Sequence, residues 1–188
     1  EKSRFMGLEL FGKTLGLIGC GNIGSIVADR ARGLKLKVVA FDPYLTDERA
    51  IDLGVGKVDL DGLLKRADII TLHTPLTDGT RNILSAESLA KAKKGVRIVN
   101  CARGGLIDED ALLEALESGQ VAGAALDVFA IEPAKEHKLF GRDDVVCTPH
   151  LGAATAEAQE NVAIQVAEQI ADYLLLGAVS NALNMASV

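Results

Sequence analysis

Six short apolar runs recur along the chain, separated by longer amphipathic stretches, and this alternation constrains the fold more than any other feature. The runs are TLGLIG (14–19), LKVVAF (36–41), DIITLH (68–73), VRIVN (96–100), VAGAALD (121–127) and VVCTP (145–149). Near-continuous apolar character over about five residues is the pattern of strands buried on both faces of a parallel sheet. The intervening NIGSIVADRARGL, DGLLKRA, SAESLAKAKK and DEDALLEALESG have helical character. The last carries acidic residues in its first turn, from Asp108, and a stop at Gly119. Strand–helix alternation of this kind predicts an α/β fold, a doubly wound parallel sheet with right-handed crossovers. From Thr155 to Leu176 the pattern changes to one long helix, with Val162, Val166, Ile170 and Leu174 four residues apart and Gly177 ending it. The expected organisation is a lead-in over 1–13, a single sheet domain over 14–154, and a helix with its tail over 155–188.

Aromatic residues are only 4% of the chain and Trp is absent, so Leu, Ile, Val and Ala must build the core. A net charge of −6 argues against a nucleic-acid surface, which needs basic patches. No apolar run approaches the roughly 20 residues of a membrane span, and no cationic start precedes a secretory apolar core. Cys20, Cys101 and Cys147 are widely spaced with no CxxC pair. They fit neither a disulfide framework nor a metal site, and read as small core residues in a reducing cytoplasm.

The first apolar run leads into Gly19-x-Gly21-x-x-Gly24, which opens the first helical stretch. That context is the one a dinucleotide-binding loop requires. Gly19 permits a tight turn, Gly21 lets the backbone approach a pyrophosphate, and Gly24 lets the helix pack closely on the strand. The pyrophosphate would sit at the positive end of the helix. The second run ends in Asp42, eighteen residues beyond Gly24. A carboxylate there accepts from ribose hydroxyls and repels a 2′-phosphate, which favours NAD over NADP. An aspartate opening a turn ahead of Pro43 is the other reading. The fold expected is therefore the dinucleotide-binding, or Rossmann, form of the doubly wound sheet.

Ligands of open parallel sheets bind beyond the C-terminal strand ends. Arg103, Asp127 and His150 fall at such exits, and Glu132 lies in the loop between the last two. Hydride transfer from an alcohol carbon needs a base for the hydroxyl proton and a cation for the substrate carboxylate and the forming carbonyl. Arg103, Glu132 and His150 supply those types on one face, with a partly buried glutamate raising the imidazole pKa and orienting it. Singly, each has a plainer use: Arg103 pairing with Asp108 or Glu109, Glu132 as a solvated carboxylate, His150 capping a turn. His73 and His137, the latter in the charged AKEHK loop, are given no catalytic part.

GKTLGLIGCGNIG, FDPY, LHTPLT, NCARGGLIDEDAL, AALDVFAIEP and TPHLGA, in this order, resemble the D-isomer-specific 2-hydroxyacid dehydrogenases. The resemblance covers almost the whole chain. It implies the catalytic set Arg103, Glu132 and His150, with the histidine as acid/base and Glu132 modulating it. It further implies NAD contacts from Asn22, Ile23, Asp42, Thr74, Cys101, Ala102 and Arg103, with Asp127 and the His150, Gly152 and Ala153 stretch on the nicotinamide side. Within the family the chain looks most like members acting on a phosphorylated 2-hydroxy acid. Alternatives are hydroxypyruvate, glyoxylate or lactate as substrate, or a non-catalytic NAD-sensing module. The family often has an acidic residue where Ala130 or Ile131 stands, while Glu132 before Pro133 is kept. Its members carry a second, discontinuous domain around this one, for which the chain has no room. The expectation is an excised cofactor domain whose two ends lead to that missing domain, cytoplasmic and homodimeric through the cofactor domain, without metal, membrane or nucleic-acid partners.

Overall fold

In a computed structural model, which describes residues 7–182, the apolar runs become strands of one parallel sheet. In chain order these are β1 (Thr14–Ile18), β2 (Lys37–Phe41), β3 (Gly56–Lys57), β4 (Ile69–Leu72), β5 (Val96–Asn100), β6 (Val121–Leu126) and β7 (Val145–Cys147). Five helices connect them: α1 (Asn22–Gly33), α2 (Asp47–Leu53), α3 (Leu60–Arg66), α4 (Ala86–Lys91) and α5 (Glu109–Glu117). The two-residue β3 and the helix α2 have no counterpart among the sequence runs. Spatial order is β3-β2-β1-β4-β5-β6-β7, every pair parallel. The chain winds outward from β1 to β3, then returns across to β4, so the order reverses between β1 and β4. That switch point opens a crevice at the C-terminal strand ends.

Strand side chains divide by the period of two between two cores. Leu15, Leu17, Val38 and Ala40 pack with Ala28 and Ala31 of α1 and Ala50 of α2. Ile18, Val39, Ile70 and Leu72 join Leu63 and Leu64 of α3 and Leu112 of α5 on the opposite face. Full burial of one such leucine stabilises by about 1.5–3 kcal/mol relative to exposure. A side chain at Gly16 would lie 2.7 Å from Leu63 Cδ2, so α3 rests directly on the β1 backbone. Of the cysteines, Cys20 is a buried core residue as expected; Cys147 is half-buried, and Cys101 departs from the core reading, exposed because it lies just past the end of β5.

The chain divides into two compact units, Glu1–Pro149 and His150–Val188. In the second, α6 (Ala156–Leu176) begins at Thr155, whose hydroxyl accepts from the Ala158 N–H, and stops at Gly177 in the left-handed region (φ 68°). None of its side chains is buried, and the stripe expected at Val162, Val166, Ile170 and Leu174 is exposed. No helix among the described residues is long and apolar enough to cross a membrane. The last six residues of the tail SNALNMASV, like the first six of the lead-in, lie outside the described residues.

Candidate active site

The glycine loop at the exit of β1 is shaped by contacts that exclude a Cβ. Gly19 has φ 94°, and a Cβ on it would lie 2.5 Å from the His73 carbonyl oxygen. At Gly24 a Cβ would lie 2.4 Å from the Gly19 oxygen, so α1 can approach the loop only without one. Gly21 faces open space instead. It is also the N-cap of α1, with no side-chain cap and no acidic residue in the first turn. Thr46, Asp59, Ser85, Asp108 and Thr155 cap all the other described helices. The first-turn N–H groups beside Asn22 and Ile23 are therefore left for an anion. Side chains would obstruct the tight points of this cradle, and its floor is clear where a pyrophosphate would lie.

Asp42 takes the turn-opening role with one oxygen and anchors the glycine loop with the other. Oδ1 accepts from the Tyr44 N–H (2.8 Å), closing the turn, and Oδ2 accepts from the Cys20 N–H (2.7 Å), tying β2 to the glycine loop. Each carboxylate oxygen has a second lone pair, which leaves capacity for ribose hydroxyls. Across the crevice, His73 bonds Thr71 Oγ1 (3.1 Å), and burial pushes its imidazole below the usual histidine range. It is a neutral wall of the loop, with the half-buried Thr74 next in the chain.

The β5 exit is held by Asn100, a residue the sequence reading passed over. It is 2% exposed. Its Oδ1 accepts from the Ala102 N–H and its Nδ2 donates to the Arg103 carbonyl, both at 3.0 Å, bending Cys101–Ala102–Arg103 into a fixed turn. The Arg103 side chain is exposed and donates to the Ala102 carbonyl (2.6 Å). Pairing with Asp108 or Glu109 does not occur. Asp108 is committed to the Asp110 and Ala111 N–H groups as the α5 cap, and Glu109 to Ala130 and His137. The guanidinium thus stands at the strand exit with no carboxylate partner among the described residues.

Glu132 lies on the neighbouring loop. It is exposed, where a partly buried carboxylate and a solvated one were both considered; its Oε1 accepts from the Phe129 N–H (2.9 Å). The two loops touch through backbone: a Cβ on Gly104 would sit 1.8 Å from the Phe129 carbonyl oxygen. The loops that carry Arg103 and Glu132 are therefore in backbone contact. Asp127, 4% exposed, ends β6 and accepts from the Thr148 hydroxyl (2.5 Å). Burial, then the Asp127 charge, pushes the Cys101 thiol up, so it is no ready nucleophile. His150, Gly152 and Ala153 belong to the second unit, where all three are exposed. His150 has φ 58°, a left-handed conformation uncommon for a residue with a Cβ, and opens a turn closed by Ala154 N–H to Leu151 O (2.9 Å). His137, in the charged AKEHK loop, has a side chain only 14% exposed that packs against Phe129 and Phe140. Among the described residues no cluster of His, Cys, Asp and Glu could hold a metal ion.

A doubly wound sheet with a clear glycine cradle and an acidic β2 exit defines a dinucleotide-binding domain. The chain belongs to the D-isomer specific 2-hydroxyacid dehydrogenases, whose NAD binding domain it matches over residues 1–152. It is 54% identical to D-3-phosphoglycerate dehydrogenase of Bacillus subtilis over 185 residues, 98% of this chain and 35% of that protein. It is also 54% identical to hydroxypyruvate reductase of Thermotoga maritima over 173 residues, 90% of this chain and 56% of that one. A glyoxylate reductase from Paecilomyes thermophila superposes with a TM-score of 0.88 at 38% identity, over 95% of this chain and 54% of that one. The chain spans about a third of the length of the phosphoglycerate dehydrogenase and just over half of the two reductases.

Proposed function

We propose that the protein containing this chain oxidises 3-phospho-D-glycerate to 3-phosphohydroxypyruvate, the first step of serine biosynthesis, and that this chain is its NAD-binding domain. The observation that carries the reaction class is the exposed guanidinium of Arg103, without a carboxylate partner among the described residues, on a turn fixed by Asn100 and abutting the loop that carries Glu132. The identity to the Bacillus subtilis enzyme over 98% of the chain supports the substrate. Equal identity to a hydroxypyruvate reductase keeps a non-phosphorylated 2-hydroxy acid as the second reading.

Gly19, Gly21, Asn22, Ile23 and Gly24 would hold the pyrophosphate, and Asp42 the ribose. Thr74, Cys101, Ala102, Asp127, Gly152 and Ala153 would line the rest of the cofactor. NAD⁺, when bound, supplies the hydride acceptor. Arg103 grips the substrate carboxylate and polarises the carbonyl oxygen as it forms. His150 takes the hydroxyl proton, and Glu132 stabilises the resulting imidazolium. Residues 1–13 and the helix and tail from 155 lead to a substrate domain that closes over the cleft, excludes water and supplies cations for the phosphate. We assign the protein to the cytoplasm as a homodimer through this domain, with no nucleic-acid or membrane partner. Steady-state kinetics of the full-length protein against a panel of 2-hydroxy acids tests the substrate. Near-full turnover by His150→Ala would remove the assigned base.

A further inference from the structure

Glu109 and His137 form a carboxylate–imidazole pair bonded to the loop that leads to Glu132. Glu109 is the first residue of α5, the helix that follows the Arg103 turn, and His137 lies five residues beyond Glu132. Their side chains are 18% and 14% exposed, so solvent screens the pair only in part. His137 Nδ1 accepts from the Leu139 N–H (3.2 Å), which leaves the ring proton on Nε2. Nε2 is 3.0 Å from Glu109 Oε2 and donates to it. Glu109 Oε1 in turn accepts from the Ala130 N–H (2.7 Å). The residue before Ala130, Phe129, gives its N–H to Glu132 and sets its carbonyl against Gly104. The bonds thus run from Leu139 through His137 and Glu109 into the backbone that carries Glu132 and abuts the Arg103 turn. Phe129 and Phe140 pack on the imidazole at centroid distances of 5.2 and 5.6 Å, and fix its plane.

We propose that Glu109 and His137 are positioning residues for the reaction, a clamp that sets Glu132 against Arg103. The inference rests on the function proposed above. Every bond in the clamp has a defined direction, so an isosteric change can reverse one. Glu109→Gln can still accept from Ala130, but it presents an N–H to the Nε2–H of His137. His137→Phe keeps the aromatic packing and removes the donor. Misplacement by about 1 Å can cost a reaction up to ~100-fold, so each variant should lower kcat about tenfold.

The test uses the full-length protein with 3-phospho-D-glycerate, comparing Glu109→Gln, His137→Phe, the double variant and Glu132→Gln. NAD affinity by calorimetry should stay at the wild-type value, because the glycine loop takes no part in the clamp. The double variant should be no slower than the slower single, since both break one chain of bonds. His137→Gln, which restores an N–H donor, should recover most of the loss. Wild-type kcat in Glu109→Gln and His137→Phe while Glu132→Gln is impaired would overturn the clamp and leave the functional proposal standing. Loss of NAD affinity in step with kcat would show a role in folding alone, and would also overturn it. An unimpaired Glu132→Gln, or no turnover by the wild type, would sink the functional proposal and the clamp with it.

Discussion

The exits of β1 and β2 and the exits of β5 and β6 lie at the same edge of the sheet but are built from different material. At the first, the recognition surface is backbone: glycines at 19 and 24 pressed against carbonyl oxygens, and an uncapped helix start. At the second, backbone is the mount and side chains are the surface. Buried Asn100 and the Glu109–His137 pair hold the turns from behind, while Arg103 and Glu132 stand exposed in front. A dinucleotide is a large, invariant ligand that can be met by shape.

That contrast makes a ranked set of expectations. Gly104→Ala should be the most damaging, because its Cβ would meet a backbone oxygen at 1.8 Å that cannot swing aside. We expect about 4 kcal/mol lost from stability in denaturant titration, at the upper end for single substitutions. Gly19→Ala combines a left-handed φ, costing about 1–3 kcal/mol, with a 2.5 Å approach to the His73 oxygen, and should weaken NAD about a hundredfold in calorimetry. Asn100→Ala removes two hydrogen bonds and should cost about 2 kcal/mol in denaturant titration, at roughly 1 kcal/mol each, loosening the Cys101–Ala102–Arg103 turn. Asp42→Ala should weaken NAD by only about tenfold, one charge-assisted contact, and narrow its preference over NADP. If Asp42→Ala proved worse than Gly19→Ala, the nucleotide side would be reading side chains after all.

The smallest effect concerns His73. Its folded pKa lies below the unfolded value of about 6.5, because burial disfavours the cation. The unfolded chain therefore binds the proton more readily. Stability contributed by the neutral ring is complete above that pH and is lost as pH falls through the folded pKa. Denaturant midpoints should decline on acidification below about pH 6.5, and His73→Gln should lessen that decline.

The sheet was legible because buried parallel strands leave continuous apolar runs, and the glycine loop because its constraint is steric and only one residue type meets it. The segment from Asp47 to Lys57 left no such trace. α2 buries only Ala50, so it has no apolar stripe, and both residues of β3 are exposed. Its punctuation was there to find, in the Thr46 cap and the left-handed Gly54. Asn100 and His137 escaped for different reasons. The bonds of Asn100 are local, to residues two and three on, and an asparagine ending an apolar run was a turn signal to be read. A histidine folded under two phenylalanines from a charged loop depends on packing that spacing does not encode. Sequence pattern assigned Arg103 and Glu132 to loops at the strand exits; the bonds that hold those loops became visible only in three dimensions.

The bond from the Cys20 N–H to Asp42 has a practical consequence for anyone wishing to change the nucleotide this domain accepts. Admitting a 2′-phosphate calls for removing the Asp42 carboxylate, yet the same oxygen anchors the loop that must receive the pyrophosphate. A neutral replacement that cannot accept from Cys20 would trade selectivity for a slack loop. Successful redesign should keep an acceptor at position 42, as Asn or Ser does, and bring its new positive charge from elsewhere on the β2 exit.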